Sequence, residues 1–219
     1  MTRVLGADGC KGGWVGVVLD DDRGPWATIA RDMPTLIGLA GPVDVIGIDM
    51  PIHLSDDTDR ECDTAARRAL SPHGSRVFNA PISAVLASAT YEDAKQTSAL
   101  VLGKKISLQT WGLVPKIAEV DHWLPDAPYP VYEVHPELSF AAMCGRVIAA
   151  SKKTREGAAQ RRDALVAQGL SIPADIRQTA DLLDACAVAW SARRLAMGEG
   201  GSLPDPAPVV KGQRQAIWY

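Results

Sequence analysis

Residues 5–18 read LGADGCKGGWVGVV: a strand-like run that reaches one acid, Asp8, then a glycine-rich stretch and a second apolar run. A glycine-rich turn between strands can cradle a phosphate with backbone N–H groups, whereas an acid at the tip of an interior strand can hold a metal ion. Nothing local decides between the two. Working outward, Arg3–Gly9 and Trp14–Leu19 read as strands, and DDDRG turns the chain into a third, Trp26–Arg31. That is an antiparallel meander. Pro34–Ala40 reads as a short helix with proline in its first turn, and Val43–Ile48 is an apolar run of the kind found in buried parallel strands. Meander, helix and parallel strand together predict a mixed sheet.

The chain has 219 residues, 47% of them hydrophobic, enough for a substantial core. A formal net charge of −3 argues against a general basic coat for nucleic acid but leaves room for a local basic groove. Cys10, Cys62, Cys144 and Cys186 are widely spaced, with no CxxC pair, and read as reduced and packed. The N-terminus lacks the features of a secretory signal, and no run approaches ~18 apolar residues, so a cytoplasmic protein without membrane contact is expected. Oligomeric state is open, a homodimer included.

Past IGIDMPI, Asp59–Leu70 has helical composition and SPHGSRVFNAPIS is rich in turn residues. Helices are expected over Tyr91–Gly103 and Leu108–Leu124, the second kinked or divided near Pro115. Val131–Val134 reads as a fifth strand, followed by a helix from Pro136 to about Cys144. Two more helices are expected, over Thr154–Gln168 and Arg177–Met197. One α/β domain spanning residues 1–219, with a helical insertion at about 56–127 between strands four and five, is the simplest organisation.

Four acids stand out. Asp8 closes the first strand and Asp49 the fourth, where clefts form at sheet edges. Glu133 lies within the apolar fifth strand and needs a partner if buried. The final helix carries Asp181 and Asp184 on one face; Asp181 suits the helix N-terminus electrostatically, which leaves Asp184 as the preferred ligand. Singly, Asp8 could serve only to shape a turn and Asp49 only to hydrogen-bond its own backbone. Together, Asp8, Asp49, Glu133 and Asp184 would make a hard-oxygen site for Mg²⁺ or Mn²⁺, suited to phosphodiester hydrolysis with two ions.

The segments GADGCKGGW, IGIDMPI, SLQTWGLVPKIAEVD, YEVHPELSF, SKKTREG, DLLDACAVAW and QRQAIWY, in that order, resemble the family called domain of unknown function 429 nearly end to end. Its members are regarded as predicted nucleases of RNase H-like fold. The resemblance implies an RNase H-like mixed five-stranded sheet, three antiparallel strands then parallel ones, flanked by helices. It also implies that Asp8, Asp49 and Asp184, with Glu133 as a fourth candidate, form the acidic catalytic and metal-binding set. After the proline of VFNAPIS a basic residue is expected, but Ile82 and Ser83 follow, leaving Arg76 as that loop's anion-binding candidate.

Further substrate-binding candidates each have a plainer reading. Lys116 could reach a phosphate or pair with Glu119 or Asp121 on the surface. His135 could orient a water, while Glu137 reads as first-turn helix charge. Lys152, with Lys153, Arg155, Arg161 and Arg162, could track a phosphate backbone or form a solvated face. Arg60, Arg67 and Arg68 could line the cleft or pair with Asp59, Glu61 and Asp63. Trp111, Trp123 and Trp190 read as core. The leading expectation is a Mg²⁺-dependent nuclease acting on DNA or RNA. The alternatives are a nucleotide-dependent phosphotransferase or phosphate-binding protein of the related actin and sugar-kinase fold, and a non-catalytic RNase H-like scaffold.

Overall fold

A computed structural model describes residues 1–177 and 179–219. Strands β1 (Arg3–Cys10), β2 (Gly13–Asp20) and β3 (Trp26–Ala30) form the expected antiparallel meander. Gly12 takes φ 86° in the β1–β2 turn, a conformation that suits glycine. Helix α1 (Met33–Ala40), capped by the Asp32 carboxylate on the Thr35 N–H, leads into β4 (Val45–Asp49), which pairs in parallel with β1. Strand β5 (Val131–Glu133) then pairs in parallel with β4, giving the order β3-β2-β1-β4-β5.

Between β4 and β5 lie α2 (Glu61–Ala69), α3 (Tyr91–Leu102) and α4 (Leu108–Trp123). Helix α4 runs on through Pro115. The backbone hydrogen bond that proline forfeits is outweighed by burial of Val114, Ile117, Val120 and Trp123 on one side of the helix. After β5 come α5 (Pro136–Cys144), α6 (Arg155–Ala167) and α7 (Ala180–Ala196). Thr179 caps α7, so that helix begins later than Arg177, and Gln178 lies outside the described residues. Four two-residue strands follow, of which β6 (Ser202–Leu203) pairs with β9 (Ile217–Trp218) and β7 (Val209–Val210) with β8 (Gln213–Arg214). The chain end covers the β5 side of the sheet through a bridge from Val134 to Trp218.

Alternation along the strands divides the core in two. Leu5, Ala7, Trp14, Val18, Ile46 and Ile48 join a cluster with α1 and α4 residues, while Val4, Val15, Val17 and Val45 join one with α7. Helix α7 lies against β1 and β4 because two glycines let it come close. A Cβ on Gly6 would sit 2.2 Å from the Ala189 nitrogen, and one on Gly47 would sit 2.9 Å from the Val188 side chain. All four cysteines are free thiols, and among the described residues no helix is long and apolar enough to cross a membrane.

Candidate active site

The parallel pairing of β1 with β4 sets Gly6 opposite Gly47 and Asp8 opposite Asp49. Both Gly-x-Asp triplets therefore present glycine and acid on the same sheet face, the face that α7 covers. Close seating of α7 brings Asp184 to the two strand acids. Asp8 and Asp184 are buried, whereas Asp49 keeps some exposure to a cleft of about 300 Å³ that Asp184 also lines. Around that cleft stand Arg76, His135, Glu137, Lys152 and Lys153.

The acids strain against one another. Burial, then the carboxylates of Asp49 and Asp184, push Asp8 well above the ordinary carboxylate range. Burial lifts Asp49 to about 7 and Asp184 to about 6, in both cases against the pull of Lys152. Lys152 is ion-paired with Asp184 Oδ2. The other oxygen, Asp184 Oδ1, is buried with no hydrogen-bond partner among the described residues. Three acids thus share one close ammonium. Their hard oxygens and excess negative charge suit a divalent cation of the Mg²⁺ kind. As they stand, no three His, Cys, Asp or Glu side chains among the described residues close into a set that could hold one ion. Lys152 takes up one of the oxygens such a set would use.

Glu133, the fourth expected ligand, is not in this cluster. It pairs in register with Ile48, so it points to the opposite sheet face from Asp49. There Arg60 grips it with two hydrogen bonds of 2.7 Å, and the Ile52 N–H donates at 2.9 Å. Asp63 completes the network, accepting from Arg60 at 2.5 Å and from the Ala80 N–H at 2.8 Å. Arg60 is only 2% exposed, so it pins the β4–α2 connection to β5 and offers nothing to a substrate. Of the two readings for Arg60, pairing with acids holds, though Glu133 is its main partner.

The acid that does join the cleft is Glu137, in the first turn of α5, which adds negative charge beside Asp49 and Asp184. Arg76 holds one of its oxygens at 2.7 Å and Arg161 the other at 2.5 Å. Arg161 is 1% exposed and also donates to the Ala150 and Gly157 carbonyls, so it belongs to the core and not to a solvated face. Arg76 donates further to the carbonyls of Ile148 and Ala149, yet its side chain keeps 21% exposure on the cleft wall. His135 accepts the Glu137 N–H through Nδ1 at 3.3 Å, and burial lowers its pKa. A neutral ring with its proton on Nε2 follows.

Lys116 bonds to the Gly13 carbonyl and lies over the Trp14 ring, 4.5 Å from its centroid. It braces the β1–β2 hairpin behind Asp8 and lies outside the residues that line the cleft. Glu119, one expected partner, instead accepts from Trp14 Nε1 and the Met33 N–H, both at 2.9 Å, tying α4 to β2 and α1. The sequence signal that locates the cluster is the repeated Gly-x-Asp of LGAD and IGID. Glu137 has no comparable signal, because an acid after a helix-starting proline has a sufficient local explanation.

A mixed sheet with acids meeting where two adjacent parallel strands end defines an α/β protein with a polar cleft at the strand ends. Over residues 6–209 the chain matches the model of the family described as Protein of unknown function (DUF429), and it belongs to that family. No curated protein and no solved structure matches it.

Proposed function

We propose that the protein is a metal-dependent phosphodiesterase of RNase H-like architecture that cleaves nucleic acid, with Asp8, Asp49 and Asp184 at its centre. The observation that carries the reading is the meeting of these acids, buried so that each holds its proton more tightly than an ordinary carboxylate, beside a cleft that Asp49 and Asp184 line and Arg76, Lys152 and Lys153 rim. Crowding of like charge at this cost to the fold is characteristic of working sites. A divalent cation bound by these carboxylates would supply Lewis-acid stabilisation and an activated water.

The chain's own groups have separable tasks. Asp8 and Asp49 are fixed side by side on rigid parallel strands, so their spacing does not depend on a loop. Lys152 neutralises Asp184 and stands ready to meet a phosphate oxygen, as does Lys153 beside it. Arg76 and Arg161 hold the Glu137 carboxylate between them, which keeps the α5 side of the cleft in register with α7. Neutral His135 steadies the start of α5 by accepting the Glu137 N–H, without adding charge to the cleft. The strand order and the meeting of Asp8, Asp49 and Asp184 support the reading, whereas Glu133, the fourth candidate of the resemblance, stands apart on the other sheet face.

The test is a cleavage screen over single strands, duplexes, RNA–DNA hybrids and branched junctions in Mg²⁺ and Mn²⁺, with Asp49→Asn as control. Metal-dependent cleavage that the variant loses supports the proposal. Absence of cleavage on every substrate, or equal cleavage by the variant, overturns it.

A further inference from the structure

The acidic cleft has a neighbour. Phe78 and Gln109 line it and also line a second recess of about 240 Å³. The charge of this recess is opposite in kind: Arg67, Lys104 and Lys105 stand against the single acid Asp59. Lys105 is exposed and forms no ion pair among the described residues. Lys104 pairs with Asp59 at 2.5 Å, but both side chains are nearly half exposed, so the pair is worth little and exchanges readily for a better anion. Arg67 donates to the Val77 carbonyl, which fixes its guanidinium on the wall, and Asn79 and Ser107 add uncharged polar groups.

We infer that this recess is a second phosphate subsite, continuous with the acidic cleft, and that the substrate is a strand long enough to place one phosphate in each. The inference rests on the phosphodiesterase reading and extends it. The acid cluster repels an unaccompanied phosphate, whereas the basic recess binds one without a metal, by charge alone. Phe78 sits on the boundary, only partly buried, and offers a ring face on which a base can stack between the two phosphates. The arrangement favours a single strand of two or more nucleotides over a mononucleotide, because a mononucleotide can fill only one of the two sites. It also places the basic surface that the acidic net charge conceals.

The experiment measures binding, not turnover. Fluorescein-labelled single-stranded oligonucleotides and a labelled mononucleotide are titrated in Ca²⁺, by anisotropy, against the wild type, Lys104→Ala/Lys105→Ala, and the charge-matched control Arg23→Ala/Arg31→Ala on the β2–β3 side of the sheet. The double lysine variant should bind a ten-nucleotide strand at least about tenfold more weakly. Its slope of log affinity against log salt should be shallower by about 1.4, two phosphate contacts at about 0.7 each. Mononucleotide affinity should fall by less than strand affinity, because a mononucleotide can still fill the acid cleft through Ca²⁺, and the arginine control should stay close to wild type. Equal strand affinity and equal slope in the two double variants, with cleavage retained by the wild type, would overturn the subsite and leave the phosphodiesterase reading standing. A weakened lysine variant in a protein that cleaves nothing would uphold the subsite and overturn the hydrolytic reading. A wild type that binds no strand would overturn both.

Discussion

Replacing Asp49 with asparagine should make the metal-free protein more stable at pH 8 while destroying its function. Burial holds the Asp49 carboxyl at about 7 in the folded state, against an ordinary value of 3.8. At 1.36 kcal/mol per decade, ionising it in the fold costs about 4 kcal/mol more than in the unfolded chain. The sign follows from linkage: between pH 4 and 7 the native state binds more protons than the unfolded one, so stability falls as pH rises through that window and levels off above it. Asparagine keeps the shape and removes the charge. Because neighbouring acids share the strain, and an amide also loses solvent there, the substitution should recover about 1–3 kcal/mol at pH 8. That corresponds to a rise in Tm of about 2–12 °C for a chain of this size. Urea and thermal melts in EDTA at pH 5 and pH 8 are the assay. The gain should be largest at pH 8, shrink to about a third of that at pH 5, where the folded carboxyl is protonated but the unfolded one is ionised, and vanish only below about pH 4. A variant no more stable than wild type at pH 8, or one stabilised equally at both values, would refute the account of Asp49 as an acid whose charge burial makes costly in the fold.

Four further outcomes follow from the same geometry. Mg²⁺ or Mn²⁺ should raise the Tm of the wild type but not of Asp184→Asn, and the effect should strengthen as pH rises through about 6–7, because ion binding must displace the protons held by Asp184 and Asp49. Arg60→Met should leave Glu133 buried and unpaired and cost about 3–5 kcal/mol in urea unfolding. Glu133→Gln, if folded, should keep its metal response; its loss would return Glu133 to the site. Gly6→Ala should lower stability by about 1–3 kcal/mol or more, since its methyl meets the Ala189 backbone and α7 must back away from β1.

Much of the fold is legible in the sequence because the opening strands are short apolar runs, buried on both faces, whose turns carry glycine and aspartate. Asp8, Asp49 and Asp184 are legible for a related reason: each stands near the end or start of a strongly apolar element. Glu133 misleads because side-chain direction in a strand depends on register. Ile48 pairs with Glu133, and one residue of slip would have put Glu133 beside Asp49. No local pattern reveals that register. Arg161 and Glu137 find each other across two helices, a contact that neither helix's own sequence announces. The last strands escape notice because two-residue ladders such as Ser202–Leu203 with Ile217–Trp218 are too short to carry a period.

The measurement that bears most directly on the central claim is the Mg²⁺-dependent cleavage rate of a phosphodiester substrate by the wild type and by Asp184→Asn, prepared and folded alike. The account predicts metal-dependent cleavage by the wild type and a loss of about 10²-fold or more in the variant, since an acid that organises charge at the reacting phosphate is removed. Equal rates in the two proteins, or cleavage indifferent to the metal, would contradict it.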